Sequence, residues 1–123
     1  MSGPEYRRVV HAGSGRVLVE KARWCDGFGS RLRGFTFRRR LSAGEGLVLV
    51  EAAEGRASAG ITMLFVFFAL GVVWLDSAGR VVDSVVARPW RISYLPQAPA
   101  RYILEARPEI VAEVRLGDQL SFG

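Results

Sequence analysis

The chain is short of the residues that most often carry chemistry. Its 123 residues include one cysteine, Cys25, and one histidine, His11. That excludes a disulfide framework and a zinc site of the Cys/His type. A Cys–His pair exists only if these two residues meet in space. Lysine is nearly missing, with Lys21 beside sixteen arginines. Met1 to Arg8 has no apolar stretch of the kind a signal peptide needs, so a cytoplasmic location is expected. No phosphate loop, dinucleotide fingerprint or metal-ligand spacing occurs, so neither a cofactor nor a metal is expected. Ser14 lies between two glycines, but it lacks the Gly-x-Ser-x-Gly pattern of a nucleophile elbow.

The residues that are present describe a folded chain. Half are hydrophobic and 24% are charged, which excludes disorder for the bulk of the sequence. The length suits one domain over residues 1–123 with a real core. Net charge is +5, and it is unevenly placed. Residues 1–40 carry ten basic and three acidic side chains, whereas residues 41–123 carry seven and nine. The excess sits at Arg7, Arg8, Arg31, Arg33, Arg38, Arg39 and Arg40. Guanidinium forks suit phosphates and carboxylates, but no nucleic-acid reading motif accompanies them.

Short β-type runs dominate the chain. Tyr6–His11 and Arg16–Glu20 flank Gly13-Ser14-Gly15 and read as a hairpin. Trp24–Gly29 reads as a loop, and Ser30–Leu41 as one or two helical turns interrupted by Gly34. Leu47–Val50 is a short apolar strand, followed by a polar, alanine-rich loop over Glu51–Ser58. Ile61–Leu75 (ITMLFVFFALGVVWL) contains no charge. It is rich in β-branched and aromatic residues and is broken at Gly71. It therefore reads as two strands buried on both faces and joined near Ala69-Leu70-Gly71, rather than as a bilayer span. Asp76–Gly79 is a turn, Arg80–Ala87 and Arg101–Ala106 are strands, and Ile110–Val114 and Gln119–Phe122 are the last two. The expected fold is mainly β: a single-domain, barrel-like β-sandwich of about eight to ten short strands with one short helix.

Several stretches, taken in order, resemble one family. They are Arg31-Leu32-Arg33-Gly34-Phe35-Thr36-Phe37-Arg38 with Leu41, then Gly46-Leu47, Trp74-Leu75-Asp76 with Gly79, and Pro89-Trp90-Arg91. Ala100-Arg101-Tyr102-Ile103-Leu104-Glu105 and Gly117-Asp118 complete the set. Over about residues 16–122 the chain is similar to the family of domains of unknown function numbered 192, also called uncharacterised protein family 0127. The resemblance implies a small, mostly β domain and no established activity. It also exposes a departure. Many members carry His-Thr-Phe-Phe-Met-Arg-Phe-Pro-Ile-Asp where this chain has Thr62–Gly71. The family's histidine, arginine and aspartate positions correspond here to Thr62, Phe67 and Gly71, so an ionisable set is replaced by apolar, small or hydroxyl side chains.

These readings favour a non-catalytic binding or accessory domain, with a protein partner or a second copy meeting the exposed part of the apolar segment. The candidate anion or partner site is Arg31, Arg33, Arg38, Arg39 and Arg40 with Glu105. Glu105 lies in an apolar strand and is suited to pairing with Arg31 or Arg33, first as a fold-holding ion pair and alternatively as the organiser of an anion site. One alternative is a polyanion or nucleic-acid binder using the same arginines. A second is a hydrolase, which requires a cleft joining Glu105 or Asp118 to arginines and His11. Asp76 and Asp118 are expected to bond nearby backbone at turns. His11 has no evident partner in the sequence, and Cys25 is expected to be unreactive.

Overall fold

The computed structural model describes residues 5–26, 44–61, 63, 66–91 and 94–123. Among them are seven strands: β1 (Tyr6–His11), β2 (Val17–Cys25), β3 (Glu45–Gly55), β4 (Leu70–Leu75), β5 (Val81–Ala87), β6 (Ala100–Ala106) and β7 (Leu120–Phe122). A 3₁₀ helix spans Pro108–Glu113. All seven strands belong to one sheet in the order β5-β4-β6-β3-β2-β1-β7. The fold is thus the expected mainly-β, barrel-like one, with a single curled sheet in place of two stacked ones. Its two edges meet at one end, where Arg80 bridges Gln119 just before β5 and β7 begin.

The hairpins form where the turn chemistry demands them. Gly15 takes φ +74° at the β1–β2 turn, and its N–H donates to the His11 carbonyl at 2.8 Å. Asp76 accepts the N–H groups of Ala78 and Arg80 on Oδ1, each at 2.9 Å, and shapes the β4–β5 turn together with Gly79 at φ +84°. In contrast, β2 and β3 are consecutive yet parallel, which no hairpin can connect.

Both faces of the sheet are apolar. One carries Cys25, Leu47, Val72, Trp74 and Ile103, covered by Ala59, Ile61, Met63 and Val66. The other carries Val9, Val19, Val48, Val73, Leu104 and Leu120, with Ile110 of the 3₁₀ helix. Every residue of β4 is buried, which explains why it loses the alternation of a half-exposed strand.

Among the described residues of the Ile61–Leu75 run, the strand is confined to Leu70–Leu75. In the first half, Ile61 exchanges backbone hydrogen bonds with Tyr94, both at 2.9 Å, and Met63 accepts from Trp90 N–H at 2.8 Å. These residues form a narrow ribbon laid over the sheet. Val66 N–H donates to the Met63 carbonyl at 3.0 Å. Trp74 Nε1 donates to the Ala59 carbonyl at 2.8 Å and ties this covering segment to the sheet.

Three further expectations change. Ile110–Val114 is not a strand, because the 3₁₀ helix occupies Pro108–Glu113. Pro108 sets a helical φ and has no N–H to give a ladder, so it opens the helix after an extended Arg107. The stretch read as a loop from Glu51 continues β3 to Gly55, through a register shift against β6 between Val50 and Gly55. Strand β2 runs on to Cys25, since Trp24 and Cys25 pair with Val48 and Leu49. The short helix expected within Ser30–Leu41 lies outside the described residues.

Candidate binding site

Strand β6 places Glu105 opposite Leu47 of β3 and Val72 of β4. Both neighbours belong to the first apolar face, and Leu47 is in turn opposite Arg23 of β2. Arg23, Leu47, Glu105 and Val72 therefore form one lateral row across four strands, and side chains in such a row share a face. Glu105 is 6% exposed and is the one buried charged or polar side chain among the described residues. It makes no hydrogen bond or ion pair among them. Burial pushes its carboxyl up to about 7.

Cys25 ends β2 on the same face and is fully buried. Burial raises its thiol to about 11; Arg23 opposes the rise, while Glu105 and Asp26 add to it. A thiol held there is no nucleophile near neutrality. The face thus offers a buried acid, a guanidinium one strand removed from its neighbour, and an inert thiol.

The arginines proposed to accompany Glu105, namely Arg31, Arg33, Arg38, Arg39 and Arg40, lie outside the described residues. The apolar segment is largely accounted for by packing. Met63, Val66 and Leu70 to Leu75 are buried, and Phe67, at the family's arginine position, is the exposed member among the described residues. Its ring meets Trp90 edge-on at 5.2 Å. Trp90 takes φ 68°, a left-handed conformation that costs a bulky residue strain.

The residues required by the hydrolase reading are only partly brought together. His11 Nε2 lies 3.0 Å from Asp118 Oδ2, and His11 Nδ1 lies 2.9 Å from Ser14 Oγ. The first contact was missed because 107 residues separate its partners; only the β1–β7 pairing of His11 with Leu120 makes them neighbours. Asp118 also accepts the Arg115 N–H at 2.9 Å, the turn role expected of it. Glu105 is not part of this cluster. It faces the first apolar cluster, whereas Leu120, the strand partner of His11, belongs to the second.

Fold and site together define a class: a small half-barrel domain with two apolar faces and a single buried acid on one of them. The chain belongs to the DUF192 family (uncharacterized ACR), which it matches over residues 9–122. It is 35% identical over 116 residues to the UPF0127 protein TK1120 of Thermococcus kodakarensis, a match spanning 93% of this chain and 72% of that one. The UPF0127 protein PF1050 of Pyrococcus furiosus is 33% identical, with 93% and 97% covered. A protein from Sinorhizobium meliloti 1021, proposed to be a transcription regulator, superimposes with a TM-score of 0.83 at 20% identity, over 99% of this chain and 97% of that one. A protein of unknown function from Novosphingobium aromaticivorans gives 0.80 at 16%, over 98% and 93%. These two likenesses bear on the fold alone. No helix among the described residues is long and apolar enough to cross a membrane.

Proposed function

We propose that the protein is a non-catalytic binding domain that recognises its ligand at the Glu105 end of the first apolar face. The observation that carries this reading is a carboxyl 6% exposed on an apolar face, pushed up by burial to about 7. Acids perturbed by burial cluster where ligands are recognised, and a hydrogen-bond donor is the ligand group that suits such a carboxyl. The chemistry that fits is a hydrogen-bond donor carried on an apolar body, such as an amine, amide or guanidinium group. Binding is favoured over catalysis because, among the described residues, the neighbouring ionisable groups are Arg23, which cannot accept a proton, and Cys25, which holds its proton near neutrality.

The test is a heteronuclear NMR titration of the full chain with benzylamine, benzamide and benzamidine. The reading predicts saturable shifts centred on Leu47, Val72 and Glu105 in the wild type, lost in Glu105→Leu. No saturable shift with any of the three would overturn it, as would equal binding by the variant.

A further inference from the structure

At the opposite side of the sheet from Glu105, three side chains form a continuous relay: Ser14 hydroxyl, His11 imidazole and Asp118 carboxylate. We propose that Ser14 is a reactive serine that takes acyl groups from activated acyl donors, with His11 as its base. The protonation pattern follows from the contacts. The Ser14 peptide N–H points at His11 Nδ1 at 3.2 Å. A peptide N–H can only donate, so Nδ1 is the bare nitrogen and Nε2 carries the proton. That proton faces Asp118 Oδ2 at 3.0 Å, and the Ser14 hydroxyl, 2.9 Å from Nδ1, is the donor to it. A hydroxyl hydrogen-bonded to a base that a third group orients is the arrangement that activates a serine.

Asp118 is suited to the third role. The Arg115 N–H, and after it the His11 side chain, hold its carboxyl below the usual aspartate range, so it stays ionised and can face an imidazolium. Access to the hydroxyl is open. Ser14 is exposed at the hairpin tip between Gly13 and Gly15, and a Cβ on Gly15 would meet nothing within 4 Å.

The same geometry sets the substrate class. The Ser14 N–H is turned to Nδ1, and the Gly15 N–H is bound to the His11 carbonyl at 2.8 Å. In the resting arrangement neither is preset for a developing oxyanion, which most acyl transfers need. Only a donor with a good leaving group, such as an aryl ester or acyl phosphate, reacts without that help. In the step, the bond from Ser14 Oγ to the acyl carbon forms and the bond from acyl carbon to leaving oxygen breaks. The serine proton passes to His11 Nδ1, and the leaving oxygen departs with the electron pair. The acyl-serine then persists, because its hydrolysis needs the same missing stabilisation.

The test treats the full chain with p-nitrophenyl acetate and follows acetylation by peptide mass spectrometry. Acetyl is expected on Ser14 well ahead of the exposed Ser58, Ser77 and Ser121, which serve as internal controls and need no folded variant. His11→Gln should slow Ser14 labelling by about 10²-fold or more. Labelling of Ser14 no faster than of the control serines would overturn the proposal. So would a wild-type rate in a folded His11→Gln protein.

Discussion

The Arg107 carbonyl oxygen lies 2.6 Å from where a Cβ on Gly71 would stand. Ile110 Cγ2 is equally close, and Pro108 Cα is at 3.2 Å. Gly71 therefore lets the 3₁₀ helix settle directly on β4. Two of the three obstructing atoms are backbone, so the site cannot yield by turning a side chain. Gly71→Ala should lower stability by about 1–3 kcal/mol. Urea denaturation checks this: the midpoint should fall with an unchanged slope, and an unchanged midpoint would show that the helix is not seated as described.

Gly71 also shows what could be read in the sequence and what could not. It is legible as an interruption of the apolar run, and the run reads as two strands joined near it. The glycine is in fact inside β4, and its cause is a helix thirty-odd residues later in the chain. Local signals did identify the β1–β2 and β4–β5 hairpins, because Gly15, Asp76 and Gly79 fix those turns within a few residues. They failed wherever a distant partner decides. Ile110–Val114 has strand-like side chains, yet Pro108 and the room at Gly71 make it helical. Glu105 stood out as an acid in an apolar strand, and its burial follows from that. Its place opposite Leu47 and Val72 does not, since this depends on which strands flank β6. The relay at His11 was invisible because the β1–β7 pairing creates it.

Glu105 should make stability fall as pH rises. Its carboxyl is raised from 4.5 to about 7 by burial, so between these values the folded chain holds a proton that the unfolded chain has lost. Stability is then unaffected below about 4.5, declines through the interval and levels off above about 7, a difference on the order of 3 kcal/mol. Glu105→Gln cannot ionise. Denaturation curves at pH 5 and pH 8 should show the wild type losing stability between them and the variant losing markedly less. Parallel behaviour of the two proteins would mean that Glu105 is not held in the apolar surroundings described.

Cys25 should resist labelling while the chain is folded. Its side chain is fully buried and its thiol is pushed up to about 11, so the thiolate is scarce at pH 8 and out of reach. Treatment with 5,5′-dithiobis(2-nitrobenzoic acid) at pH 8 should release chromophore slowly from the native protein and at once in guanidinium chloride. Fast reaction of the native protein would place Cys25 at the surface, and the apolar face beneath Ala59, Ile61, Met63 and Val66 would then be open.

Asp118 should give stability the opposite pH dependence from Glu105. The Arg115 N–H and the His11 ring hold its carboxyl below the ordinary value of 3.8. The unfolded chain therefore takes up the proton first as pH falls. The contribution is fully present above about 3.8 and is lost as pH drops through the lower folded value. These contacts also join β1 to the turn before β7, close to where the sheet edges meet. Asp118→Asn keeps the shape and removes the charge. It should lower the midpoint of urea denaturation at pH 6 and make the wild type and variant converge as pH falls below 3.8. Glu105→Gln should leave that acid limb untouched. The two substitutions would thus flatten opposite arms of one stability–pH profile, and a single substitution that flattened both would show that the two carboxyls are coupled, contrary to their placement on opposite faces.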